Sequence, residues 1–240
     1  MGRSTEPRPP WPPPHAIVVH SFTELLTTPF VGERNAVCWP RALAGDFAAV
    51  AAAIAAGSSD DLLPVDAATL DSLPLAPAGR RAVDTLQADL RALRAAGHQP
   101  SLDVIRRYAR DDDALLRTDV MSFHIDTANA PTDTFLCTYT GAPSEGLHPA
   151  EARRCIDEPE LRAALLGHFG GDDDAEFAAW LHERCYDRHY LPRPGATPFS
   201  FGVGALWRIA VQHPGSVAPP CVHRAPSPPE PAALRLLLIS

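Results

Sequence analysis

Four segments in the second half of the chain, residues 116–125, 134–140, 199–211 and 234–239, are dense in β-branched, aromatic and aliphatic side chains. Pro, Gly, Asp and Asn bound them, and these residues favour turns over continued ladders, so each segment reads as a strand. The stretch between the second and third is different. Residues 149–183 carry Leu161, Leu165 and Phe169, then Phe177, Trp180 and Leu181, as apolar faces of two helices divided at Gly170-Gly171. Asp172, Asp173 and Asp174 open the second helix, where carboxylates meet the positive end of the helix dipole. Strands, a helical excursion and then more strands predict an α+β fold with a jelly-roll barrel as its core. That core is expected over 116–240, with the helical insertion at about 149–190.

The first half is less β-like. Residues 16–19 and 36–39 are short apolar runs suited to strands, and 47–56 reads as a helix stopped by Gly57, Ser58 and Ser59. In 77–96, Val83, Leu86, Leu90 and Leu93 recur at helical spacing before Gly97. Ser101 is placed to cap a further helix through Tyr108. Residues 16–115 are therefore expected to form a mainly helical layer over the barrel. Residues 1–15, with six prolines and Trp11, read as a disordered Pro-rich tail, whose alternative use is as a ligand for a polyproline-binding domain.

Composition narrows the partners. A hydrophobic content of 45% supports a full core, and a net charge of −8 with a pI near 5.6 argues against nucleic acid or an anionic membrane. The longest apolar run, 47–56, is mostly Ala and too short to span a bilayer, and no signal-peptide pattern opens the chain. Cys38, Cys137, Cys155, Cys185 and Cys221 are odd in number and never paired as Cys-x-x-Cys, which fits a reduced, cytoplasmic compartment.

Chemistry enters at Phe123-His124-Ile125-Asp126, placed at the end of an expected strand. Residues i and i+2 of a strand share a face, so His124 and Asp126 project together. An imidazole and a carboxylate on one face make two-thirds of a facial 2-His-1-carboxylate triad, which leaves coordination positions open for O₂ chemistry at Fe(II). His223, in Cys221-Val222-His223-Arg224-Ala225-Pro226, is available as the third donor. The bland alternative is a His–Asp hydrogen bond at a strand end plus an unrelated histidine. Twelve positions on, Arg235 opens an apolar strand and needs an anion or solvent, because an unpaired buried charge is costly. Its partner is either a ligand carboxylate, such as the distal end of 2-oxoglutarate, or a protein Asp or Glu.

On His124, Asp126, His223 and Arg235, in that order and spacing, the chain resembles the Fe(II)/2-oxoglutarate-dependent oxygenase superfamily. It also looks like a bacterial family of unknown function that carries Phe-His-x-Asp, Thr-Tyr-x-Gly and a terminal His-Arg-[Ala/Ser]-Pro followed by Arg-Leu-Leu. The counterparts here are Phe123 to Asp126, Thr138-Tyr139-Thr140-Gly141, His223 to Pro226, and Arg235-Leu236-Leu237. The resemblance implies a double-stranded β-helix (jelly-roll or cupin-like), Fe(II) held by His124, Asp126 and His223, 2-oxoglutarate anchored by Arg235, and O₂. Many superfamily members place Ser or Thr two residues after the anchoring Arg. Leu237 stands there instead, and Tyr139 is expected to supply the missing hydroxyl.

Arg224 is read either as a contact to substrate or co-substrate or as a solvent-facing residue. Tyr186, Asp187 and His189 are read as substrate contacts in a pocket wall, with Asp187-x-His189 as a second metal pair the sharper alternative. Trp207 and Arg208 read as core and rim. The retained Asp126 favours hydroxylation, desaturation or cyclisation of a small molecule over halogenation. Two other readings stand: an Fe(II) oxygenase whose substrate itself chelates the metal, and a non-enzymatic metal-binding module.

Overall fold

The computed structural model describes residues 11–226 and 233–240; the expectation for residues 1–10 of the Pro-rich tail lies outside them. From the N-terminus come strand Ile17–Val18 (β1), helix Phe22–Thr27 (α1), strand Ala36–Trp39 (β2) and helix Phe47–Ala55 (α2). Strand Leu62–Pro64 (β3), helices Ala67–Ser72 (α3) and Pro77–Ala95 (α4), and strand Ser101–Ile105 (β4) complete the first half. The second half opens with strands Asp133–Thr140 (β5), Glu145–Leu147 (β6) and Ala152–Arg154 (β7). Helices Pro159–Phe169 (α5) and Ala175–Glu183 (α6) follow. Strands Tyr190–Pro192 (β8), Phe199–Ser200 (β9), Leu206–Ala210 (β10), Val222–Arg224 (β11) and Arg235–Ile239 (β12) end the described chain.

Seven strands form a large, mostly antiparallel sheet in the order β1-β2-β10-β5-β12-β4-β3, and β11-β6-β9 form a smaller one. Alternation along β5 explains how the layers stack. Phe135, Cys137 and Tyr139 point into a cluster with Phe47, Val50, Val83, Leu86 and Leu90 of α2 and α4. Leu136 points the other way, to Trp207, Ile209, Phe199, Phe201 and Cys221, between the two sheets. Thr134 and Thr138 share the face of Leu136. The outer face of the small sheet carries Phe123, Ile125, Leu147 and Val222, and α5 and α6 share a separate cluster of Ile156, Leu165, Phe177 and Leu181.

The mixed α+β class and a helical layer on one face agree with the sequence. The division of the chain does not: the first half supplies β1, β2, β3 and β4, four of the seven strands in the large sheet. Residues 101–108, expected as a helix capped by Ser101, instead contain β4. Leu102 and Val104 alternate with Ser101 and Asp103, and pairing to β12 over the whole of β4 outweighs local propensity. The expected strand at 116–125 is irregular until an isolated bridge at His124. Residues 199–211 are two strands, separated where Gly202 and Gly204 take positive φ. Trp11, assigned to the disordered tail, donates its indole N–H to the Ser200 carbonyl at 2.9 Å.

Candidate metal centre

His124 is set by the turn before it. The Asp119 carboxylate accepts the backbone N–H groups of Met121 and Ser122 at 2.9 and 3.1 Å, turning the chain into the short extended segment that holds His124. His124 and His223 then exchange both backbone hydrogen bonds, each 2.9 Å, as a directly opposed antiparallel pair. On its other side His124 is bridged to His189. Opposed residues share a face, so the imidazoles of His189, His124 and His223 form a row across three neighbouring extended segments, with Asp126 two residues along on that face. His223 shares its side of β11 with Cys221, which packs between the sheets, so the row faces the interior.

Each imidazole is oriented by a carbonyl. Nδ1 lies 2.8 Å from Ser122 O in His124, 3.1 Å from Cys221 O in His223, and 2.8 Å from Cys185 O in His189. A carbonyl only accepts, so in His124 and His223 a proton sits on Nδ1 and Nε2 is left to bind a metal, as in metal-ligating histidines, whereas the His189 ring also engages the Thr118 backbone. Burial, followed by the neighbouring His223, pulls His124 down to about 4, which keeps it neutral at physiological pH. Burial likewise lowers His189. Cys185, whose carbonyl holds His189, is the one non-glycine with positive φ (60°) among the described residues.

Asp126 is held from the opposite sheet: Thr134 Oγ1 of β5 donates to its Oδ2 at 2.5 Å, and that oxygen lies 3.7 Å from His223 Nε2. Donor atoms of His124, Asp126 and His223 all fall within 4.8 Å of one another. Donors adjacent on one ion with bonds of about 2.1 Å sit roughly 3 Å apart, so side-chain movements on the order of 1 Å would close the set. His189 is not part of that group; its ring centroid is 5.9 Å from that of His124. Two imidazoles and a carboxylate suit Fe(II), Mn(II) or Zn(II).

Arg235 also faces the space between the sheets. Its guanidinium donates to Thr138 Oγ1 at 3.1 Å, to Ser144 Oγ at 2.7 Å and to the Tyr108 hydroxyl. It is 4% exposed, burial lowers its pKa, and no carboxylate pairs with it among the described residues. Thr134 and Thr138 lie four residues apart on one face of β5, so Asp126 and Arg235 are spaced by about 13 Å along that strand. They line different cavities, however. The one at Arg235 is about 20 Å³, room for about one water, and the one at Asp126 is about 490 Å³.

Tyr139 does not supply the hydroxyl beside Arg235. It lies on the opposite face of β5, stacked on Phe47, and donates to Asp89 Oδ2 at 2.6 Å within a buried network that includes Arg41. The one-residue offset from Thr138 decides this. Arg224 points away from the metal donors, since it follows His223 on β11; it pairs with Glu145 at 2.6 Å and covers the Phe123 ring. Tyr186 packs edge-on to Trp180, and the Asp187 carboxylate engages His182 at 2.8 Å. Of these four expected substrate contacts, only His189 joins the row of donors. Trp207 is fully buried, and Arg208 donates to the Leu26 and Thr28 carbonyls.

Sequence reading missed Thr134, Thr138, Ser144 and Tyr108. The two threonines had a signal: with Thr140 they are the polar residues on one parity of β5, around Leu136. No protein-family model, curated protein or solved structure matches the chain. Among the described residues, no helix is long and apolar enough to cross a membrane.

Proposed function

We propose that the chain is a mononuclear non-haem Fe(II) oxygenase that uses 2-oxoglutarate and acts on a small molecule. The observation that carries the reading is the set of His124, Asp126 and His223 donors, each fixed by a hydrogen bond that leaves a metal-binding atom free. The winding of the chain supports it. From β4 onward the strands pass from the large sheet to the small one at His124, back at β5, over at β6 and β9, back at β10, over at β11 and back at β12. Such winding is compatible with a double-stranded β-helix, which is the fold we propose.

In this reading His124 and His223 bind through Nε2 and Asp126 through its carboxylate, with Thr134 fixing which carboxylate oxygen turns inward. Such a site couples O₂ activation to decarboxylation of 2-oxoglutarate to succinate and CO₂. Arg235 holds the far carboxylate, and the hydroxyls of Thr138, Ser144 and Tyr108 orient its guanidinium. The retained carboxylate of Asp126 occupies the position a halide would need, so hydroxylation, desaturation or cyclisation fits better than halogenation.

The small cavity at Arg235 favours a second reading, in which the substrate chelates iron and 2-oxoglutarate is not used. Anaerobic addition of Fe(II) and then 2-oxoglutarate separates the two. The weak visible charge-transfer band of the chelate, followed by succinate on exposure to air, is the expected result. Iron binding without the band supports the second reading, and failure of the H124A and H223A variants to lose iron overturns both.

A further inference from the structure

We propose that the cavity beside Asp126 binds a small carboxylic acid with an apolar body, and that Arg188 grips its carboxylate; this rests on the metal reading and specifies its substrate. The cavity, of about 490 Å³, is within the usual size range for small-molecule sites and has Asp126 in its wall. Arg188 lines it too. The Ile125 N–H donates to the Arg188 carbonyl at 3.0 Å, which ties this residue to the segment carrying His124 and Asp126.

The guanidinium is under-used. Its Nε is buried without a hydrogen-bond partner among the described residues. One terminal nitrogen is 3.4 Å from His182 Nε2, and Asp187 Oδ1, itself buried without a hydrogen-bond partner among those residues, makes a loose ion pair with Nε at 4.0 Å, too long for a hydrogen bond. Asp187 itself is engaged through its other oxygen by His182. Asp133, in the same wall, faces Arg208 at 3.6 Å. A chain of net charge −8 does not draw anions in at long range, so recognition of an acid must be local, and Arg188 is placed to provide it. Val211 and Ile239 supply apolar wall for the rest of the molecule.

The full chain, loaded anaerobically with Co(II), is titrated with a panel of aliphatic and aromatic monocarboxylates, each beside its primary amide. Binding is read by the Co(II) absorption spectrum and by thermal shift. The expected result is that acids bind at least about tenfold more tightly than their amides. Arg188→Gln should erase that preference while leaving amide binding and Co(II) uptake unchanged, Arg188→Lys should retain part of it, and Asp187→Asn and Arg235→Met should keep it. Equal binding of acids and amides, no binding of any acid, or a preference that survives Arg188→Gln overturns the proposal. Failure to take up Co(II) at all overturns the metal reading instead.

Discussion

Replacing Arg235 with methionine separates a ligand anchor from a structural clamp. The substitution keeps a flexible apolar stem of similar length and removes the charge. Desolvating a guanidinium costs several kcal/mol, and here three hydroxyl oxygens offset that, at about 1.5–3 kcal/mol for each hydrogen bond to a charged group. The opposing terms nearly cancel. Without 2-oxoglutarate, the variant should therefore unfold within about 2 kcal/mol of the parent, a change in Tm of no more than about 8 °C for a chain of this size. Ligand binding should respond quite differently. Losing one partner of a desolvated charge pair costs about 2–5 kcal/mol, so the Kd for 2-oxoglutarate should rise roughly 30-fold to several thousand-fold. Thermal unfolding with Mn(II) in place of iron, with and without 2-oxoglutarate, reads both quantities. At 100 times the parent's Kd the co-substrate should stabilise the parent by about 2.7 kcal/mol and the variant by no more than about 0.9 kcal/mol. A variant that loses more than about 4 kcal/mol yet keeps the full response to 2-oxoglutarate would refute the anchoring role.

Tyr139→Phe should cost about 1–3 kcal/mol by leaving Asp89 Oδ2 without its donor, and should leave metal and 2-oxoglutarate binding intact; a weakened co-substrate with unchanged Tm contradicts the assignment. Thr134→Val should lower metal affinity about 10- to 100-fold by freeing Asp126, a loss readable by competition with a chelator, and unchanged affinity would remove Thr134 from the site. His124 titrates near 6.5 unfolded and about 4 folded, so between these values the unfolded chain holds the extra proton. Stability of the metal-free protein should fall as pH drops through that window, by up to roughly 3 kcal/mol, and urea midpoints that stay flat there would count against the burial of His124. Gly141→Ala should be strongly destabilising, because at φ +84° a Cβ would sit 2.6 Å from the Leu234 carbonyl and 2.8 Å from Arg235 Cα; an unchanged urea midpoint would contradict that packing.

What the sequence revealed about the site follows from spacing. His124 and Asp126, two apart on an extended segment, had to share a face, and His223 needed only an extended neighbour to meet them. Sequence could not tell which side of β5 faced Arg235. Thr138 and Tyr139 are adjacent, and a single step of register exchanges the core for the site. Local signals also misread β4. Ser101 has the chemistry of a helix cap, but the partner that makes 101–105 a strand lies 130 residues away in β12. Helices α2 and α4 were legible because their periodicity is internal, whereas the short strands β6, β9 and β11 owe their form to one another.

The place of β12 bears on how the molecule is made. It is the last strand of the described chain to leave the ribosome, yet it lies between β5 and β4 and completes neither edge of the large sheet. Until it arrives, β4 and β5 have no common neighbour, and Leu236 and Leu238 are missing from beneath α2. Assembly of the large sheet thus has as its decisive step a late, non-local closure, which slows folding. The metal donors at residues 124, 126 and 223 all lie on the side of the small sheet, so an ion held by them would report the meeting of residues 124–126 with β11, a step separate from that closure.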